Sequence, residues 1–414
     1  MTLSTETITK VSPQLSKQEI LGASRLAIQA VIGITDAVEA MHSNISRVAP
    51  VIGRGRSGRA RGLSGQIYSS VRGITRTVGF GLEAAHRILP SIHLKSSHHR
   101  TREALVSRIN GVFGDHLESS QNPLAIPMSL RHNGQRLLNI QDCDANSTSI
   151  LPRNPRPVIF VHGLCMNDLQ WQVNGHDHGA VLAQELGIAP LYLHYNSGRR
   201  IADNGRELAM LLEAMFEQWP CELEELVLVG HSMGGLVSRS AVHYAQAHRH
   251  QWLEKLSTAV FLGSPHHGAP LERIGHLAGK LLEASPYSAP IARLGRVRSA
   301  GIQDLRHGRV IDDESGSDGV PNRFPDHLDV HSIAASLSAI DGTKNGKLKG
   351  DGLVPINSAL GQHRDQSKSL GLPEQNQHLI LNTGHLQLLE SRMVYTKLKA
   401  VIEDVIEDVT EDVI

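Results

Sequence analysis

The chain has 414 residues and balances 41 Lys and Arg against 41 Asp and Glu, so its bulk charge offers nothing to nucleic acid. That length holds one large domain plus a smaller one, with enough interior to be stable unaided. Its three cysteines, Cys143, Cys165 and Cys221, are scattered, odd in number and without metal-ligand spacing, which suits a reducing compartment.

Met1 to Glu19 is polar, with no basic start leading into an apolar core, so no secretory signal is expected. The apolar neighbourhood Leu26 to Thr35, flanked by Arg25 and Asp36, is about half a membrane span. A cytoplasmic protein is expected, with peripheral membrane attachment as an option. Residues 17–45 predict an amphipathic helix, with Leu21, Ile28, Ile32 and Val38 on its apolar side. Residues 50–65, rich in Gly and Arg, predict loop, and 66–89 and 100–114 predict two further helices. Residues 40–82 carry no acid but seven arginines: Arg47, Arg54, Arg56, Arg59, Arg61, Arg72 and Arg76. Such a block suits an anionic membrane or another polyanion. A solvated surface balanced by acids elsewhere is the plainer reading. Residues 1–120 are thus expected to form a mainly helical accessory region.

A hairpin opens the next region. Ile126 to His132 and Gln135 to Ile140 are joined by Asn133-Gly134, a strong two-residue turn signal. Pro157-Val158-Ile159-Phe160-Val161 predicts a buried strand that ends in His162-Gly163. Helix 177–187, strand 190–195, helix 203–217, strand 225–229, helix 235–248 and strand 258–263 follow. Later strands are expected near 329–335 and 377–382, with a final helix from His385. Strands alternating with helices predict a doubly wound, mostly parallel α/β sheet over residues 123–400. An insertion at about 266–325 carries the apolar helical stripe Leu271, Ile274, Leu277, Leu281 and Leu282. It is read as a lid, with a helix packed on the sheet as the equal alternative. The tail, residues 401–414, repeats Val-Ile-Glu-Asp with a period of four, close to one helical turn. A frayed terminus is the expectation there, with extension of the last helix or contact with a partner as the alternative.

The strand Leu226-Val227-Leu228-Val229 runs into Gly230-His231-Ser232-Met233-Gly234, and a helical pattern begins at once. That order makes a nucleophile elbow, a strained turn that lifts the Ser232 hydroxyl clear of the backbone. Gly230 and Gly234 allow strand and helix to approach closely. Two later segments complete a set: Gly350-Asp351-Gly352-Leu353 and Asn382-Thr383-Gly384-His385-Leu386. A serine hydroxyl is a poor nucleophile until a neutral imidazole takes its proton, and a carboxylate must fix that imidazole's tautomer. Ser232, His385 and Asp351 are the candidates.

Phe160-Val161-His162-Gly163, Gly-His-Ser-Met-Gly-Gly and Gly263-Ser264-Pro265-His266-His267-Gly268 together resemble the lipase and esterase branch of the α/β-hydrolase superfamily. They are similar in particular to bacterial lipases and to the PGAP1-like, inositol-deacylase-like group. The resemblance implies hydrolysis of carboxylic esters, acyl or lipid-like, through an acyl-enzyme. It implies an oxyanion hole from the backbone N–H groups of Leu164 and Met233. His162, Gly163, His231, His266 and His267 are expected to line the substrate site. Neither metal nor cofactor is expected, because none of the short histidine clusters joins Cys or a carboxylate in a ligand pattern.

A second acid, Asp318, also precedes a glycine. It comes before the expected strand Val330 to Ala334, whereas Asp351 comes after it. The triad acid must follow a late strand, on the same sheet edge as Ser232, and this favours Asp351. Two other activities share these residues. Acyl transfer to an alcohol would use the same triad, and a binding protein could keep the fold without the chemistry.

Overall fold

A computed structural model of the chain describes residues 99–132, 134–138, 154–270, 273–274, 299–312, 324–338 and 350–411, with scattered positions between 18 and 77. Most of the arginine block, the greater part of the expected lid, Cys143, Asn133 and Asp318 lie outside them. The chain forms two compact units, Met1–Arg102 with Leu117–Ala125, and Glu103–His116 with Ile126–Ile414.

In the first unit the described residues from Gln18 to Ile32 and from Ser69 to Thr77 are helical. Asn122 Nδ2 donates to the Gly22 carbonyl at 3.0 Å, and Leu26 is buried.

The second unit is built on one eight-stranded sheet: β1 (Ser129–His132), β2 (Gln135–Leu138), β3 (Pro157–Val161), β4 (Ala189–His194), β5 (Leu226–His231), β6 (Leu256–Leu262), β7 (Asp329–Ala335) and β8 (Gln377–Ile380). Their spatial order is β2-β1-β4-β3-β5-β6-β7-β8. β1 is antiparallel to both of its neighbours, and every pairing from β4 through β8 is parallel. Each residue of β3, β4 and β5 is buried. This follows from their unbroken apolar runs, since a central parallel strand is covered on both faces.

Among the described residues the α-helices from His99 onward are α1 (His99–Ser119), α2 (His178–Leu186), α3 (Ile201–Gln218), α4 (Met233–His248), α5 (Trp252–Lys255), α6 (Ala300–His307), α7 (Ile356–Ala359) and α8 (Arg392–Glu411). On one face of the sheet, Val158, Phe160, Val229, Val260 and Ile333 form a core with Leu182 of α2 and with Val394, Leu398 and Val401 of α8. Strand side chains alternate, so Val161, Leu228 and Phe261 face the other way. There α4 lies against β3 and β5, and α3 packs on α4 closely enough for a side chain at Gly205 to strike Ser240.

Two expectations change. The tail does not fray from 401: α8 runs through to Glu411, and Val401 and Ile402 are buried, because a four-residue repeat keeps one apolar stripe on the sheet for several turns. The segment Glu103–His116 of α1 belongs to the sheet's own unit, with Leu105, Ile109, Val112 and Phe113 buried. Within the insertion, α6 is helical and Ile274 is wholly buried, while residues 275–298 are outside the described set. No described helix is long and apolar enough to cross a membrane.

Candidate active site

Ser232 sits between the end of β5 and the start of α4 with φ 53° and ψ −121°, a backbone conformation a non-glycine residue adopts only under constraint. The constraint is visible on both sides. Its N–H donates to the Leu262 carbonyl at 2.8 Å, and its carbonyl accepts from Gly235 N–H at 3.1 Å. Gly234 lies so near β3 that a Cβ there would come within 2.1 Å of the Val161 carbonyl oxygen. Only glycine lets the first turn of α4 tuck under the β3 turn.

The other two candidates come from the loops after β7 and β8. Asp351 is 3% exposed and His385 7%. His385 Nδ1 lies 2.7 Å from Asp351 Oδ2 and donates to it. Asp351 Oδ1 accepts from the N–H groups of Leu353 at 2.9 Å and Val354 at 2.7 Å. Burial opposes ionisation of Asp351, but the His385 imidazole and these two amides outweigh it and hold the carboxyl below its ordinary range. The loops are tied together by backbone as well, since His385 N–H donates to the Asp351 carbonyl at 3.1 Å. With Nδ1 committed to the carboxylate, the proton-accepting atom of a neutral imidazole is Nε2. That atom is buried and has no hydrogen-bond partner among the described residues. Asp318 lies outside the described residues.

Gly163 brings the β3 turn to the serine: a Cβ built on it would stand 3.2 Å from Ser232 Cβ and 3.2 Å from His231 Nδ1. Among the described residues, neither Leu164 N–H nor Met233 N–H meets an acceptor. The second is expected, because the first amides of a helix have no carbonyl one turn back. Two unsatisfied backbone donors beside the serine, one at a helix N-terminus, form a place where an oxyanion would be stabilised.

The five residues expected to line the substrate site divide differently. Gly163 stands beside the serine. His162 and His231 are wholly buried and support the site from behind. The His162 ring stacks on Tyr195, 4.3 Å between centroids, and its Nδ1 donates to the Gly163 carbonyl at 2.9 Å. The His231 ring lies 4.9 Å from that of His385, and its Nε2 donates to the His385 carbonyl at 3.2 Å. Desolvation pulls both imidazoles down to about 3, so both stay neutral. His266 does not sit on a rim. It is fully buried against Phe261 and beside Arg239 Nη1 at 3.2 Å, because its loop turns inward onto α4. His267 is more open, with its ring 5.1 Å from that of His363. None of the described contacts joins His266 or His267 to Ser232, Asp351 or His385.

Gly263 lies at the site, a role its place in the quoted motif does not assign. At φ +58°, just past β6, a Cβ on it would be 2.6 Å from Leu388 Cδ1, 3.2 Å from Asp351 Oδ2 and 3.3 Å from His385 Nδ1. The one available signal is a glycine at the end of an apolar strand. Two leucines mark the outer edge of the same loops: Leu337 is 58% exposed and Leu386 41%. Among the described residues no cluster of His, Cys, Asp and Glu is suited to a metal ion.

Residues 153–334 match the family model described as the PGAP1-like alpha/beta domain. The chain has no match among curated protein sequences. Solved structures that it resembles include the mature form of the Bacillus licheniformis lipase BlEst2, at 20% identity and TM-score 0.41, covering 61% of this chain and 93% of that one. The Pyrococcus furiosus esterase PF2001 gives 13% identity and TM-score 0.37, covering 62% of this chain and 82% of that one. The hyperthermophilic esterase of the archaeon Pyrobaculum calidifontis gives 13% and 0.39, covering 61% and 78%.

Proposed function

We propose that this chain, which carries a PGAP1-like α/β domain over residues 153–334, is a serine hydrolase that cleaves carboxylic esters of acyl or lipid-like substrates. The observation that carries the reading is the buried pairing of His385 Nδ1 with Asp351 Oδ2, which leaves Nε2 as an unpartnered acceptor. In this reading Nε2 takes the Ser232 hydroxyl proton as Oγ attacks the ester carbonyl. The Leu164 and Met233 amides hold the oxyanion. His385 then returns the proton to the departing alcohol, leaving an acyl-serine. Water, deprotonated by the same imidazole, releases the acid and restores Ser232. Leu337 and Leu386, exposed beside the loops of the acid and the histidine, support an apolar acyl group over a charged one.

The test uses the full chain with a fluorophosphonate probe and a p-nitrophenyl ester series. The wild type is expected to label and turn over, and Ser232→Ala to do neither while keeping its circular dichroism. A folded Ser232→Ala protein that retains a tenth of the activity overturns the assignment. Product analysis with an added alcohol separates hydrolysis from acyl transfer on the same triad.

A further inference from the structure

The turn that carries Leu164 has a physical problem to solve. A backbone N–H is useful to an oxyanion only if its peptide plane is held still, and this turn ends in a residue that resists its own conformation. Cys165 has φ +61° and is not glycine. Left alone, such a turn relaxes to a commoner shape and carries the Leu164 amide with it.

The peptide plane between Gly163 and Leu164 is held by its carbonyl. Gly163 O accepts from His162 Nδ1 at 2.9 Å and from Met166 N–H at 3.3 Å. In a trans peptide the N–H points opposite to the C=O, so holding that oxygen on one side aims the Leu164 N–H to the other. The next plane, between Leu164 and Cys165, is held by its nitrogen: Cys165 N–H donates to Ser197 Oγ at 3.0 Å. This bond crosses from the β4 loop to the β3 loop.

Ser197 is a rigid post. It is 1% exposed. Its neighbour Asn196 donates from Nδ2 to the Gly114 carbonyl of α1 at 2.9 Å and accepts at Oδ1 from Gly198 N–H at 3.1 Å. The Asn196 carbonyl accepts from Asn204 Nδ2 of α3 at 3.0 Å, and the Gly198 carbonyl accepts from Gly301 N–H of α6 at 3.0 Å. Three helices therefore fix the loop on which Ser197 stands. On the far side, the Cys165 thiol is pressed onto α1 where Gly111 has no side chain; a Cβ there would lie 2.3 Å from Sγ. Burial pushes that thiol up to about 12, so it stays a neutral, packed group.

We infer that Ser197 is a positioning residue for the oxyanion hole: its hydroxyl holds Cys165 in the left-handed conformation and thereby aims the Leu164 amide at the carbonyl attacked by Ser232. This rests on the serine-hydrolase reading above. Ser197 touches no reacting atom. It acts only through the turn, so its loss must appear in the transition state and not in ground-state binding.

The experiment compares full-length wild type with Ser197→Ala and Ser197→Thr on one p-nitrophenyl ester, and measures their fluorophosphonate inactivation rates. Ser197→Ala is expected to lower kcat about ten- to thirtyfold, less than the loss of an oxyanion donor outright, with KM within about twofold. Inactivation by the probe should slow in parallel, because the phosphonyl oxygen uses the same hole. Ser197→Thr keeps the acceptor and should restore kcat to within about threefold. If Ser197→Ala does not fold, Ser197→Cys, whose sulfur is a weaker acceptor of similar size, is expected to fall between Ala and Thr. Unchanged kcat in a folded alanine variant overturns the proposal. So does a raised KM with preserved kcat, or a threonine variant as slow as the alanine. A wild type that does not react with the probe overturns the hydrolase reading and this proposal with it. A reactive wild type whose Ser197→Ala form is equally reactive overturns this proposal alone.

Discussion

His385 Nδ1 and Asp351 Oδ2 stand 2.7 Å apart, from loops that follow two neighbouring parallel strands, β7 and β8. Parallel neighbours deliver both loops to the same sheet edge, the one where β5 delivers Ser232. The carboxylate meets the imidazole and two amide N–H groups and little else. Asp351→Asn is therefore expected to leave the fold intact and cut kcat by roughly 10³- to 10⁴-fold, because the amide cannot hold the required tautomer. Asp318→Asn should be nearly silent. Steady-state kinetics of both variants check this, and an essential Asp318 beside a dispensable Asp351 would refute it.

Gly263 supports a second prediction. Alanine there must adopt φ +58° and push Leu388 Cδ1 from 2.6 Å, with its methyl against the Asp351 and His385 side chains. Gly263→Ala should lose about 1–3 kcal/mol of stability from strain at that position. It should also lose kcat, since the new methyl crowds the Asp351–His385 pair. Urea unfolding and kinetics on the same sample test both; a variant with wild-type values in each would show the site is roomier than described.

Acid should destabilise the protein through its buried imidazoles. His162 and His231 are pulled down to about 3 and His178 to about 4, chiefly by desolvation, against an ordinary 6.5. Between those limits the unfolded chain binds protons that the folded chain refuses, so stability falls as pH drops below about 6.5. Each such group contributes up to about 1.4 kcal/mol per pH unit in that window. Asp351, with its carboxyl held low, keeps its contribution until pH falls below the ordinary carboxylate range. The expected result is a falling urea midpoint from pH 7 to pH 5. A flat profile over that interval would contradict neutral burial.

Leu337 bears on substrate choice. It is exposed, yet lies 3.1 Å from where a Gly352 side chain would start and 3.4 Å from that of Gly384, so it borders both the acid and the histidine loop. Leu337→Asp is expected to reduce kcat/KM for octanoate or longer esters at least several-fold more than for acetate, consistent with about 1.5–3 kcal/mol for a leucine's apolar contact. An equal effect on both esters would remove Leu337 from the acyl site.

The strands were legible because a central parallel strand must be apolar on both faces. β3, β5 and β6 are such runs, and each is followed by a glycine-bearing turn that carries a site residue. Asp351 and His385 were legible as candidates through their position after late strands, and the structure pairs them. What the sequence hid are contacts that leave no periodic trace. The Ser197–Cys165 bond joins two loops 32 residues apart with a single hydroxyl. His266 follows a strand end as rim residues do, and nothing local reveals that its loop folds inward onto Arg239. The apolar positions of Glu103–His116 show which face is buried but not which unit receives it. The tail's repeat shows helicity, whereas its packing depends on where α8 crosses the sheet.

That segment of α1 sets the unit of inheritance. A recombination event that moved the sheet from residue 126 onward into another gene would carry Ser232, Asp351 and His385 intact. It would leave behind Gly111, the surface on which the Cys165 turn rests, and Gly114, the acceptor that steadies Asn196. The sheet's own unit begins at Glu103, inside α1, so residue 126 is not its boundary.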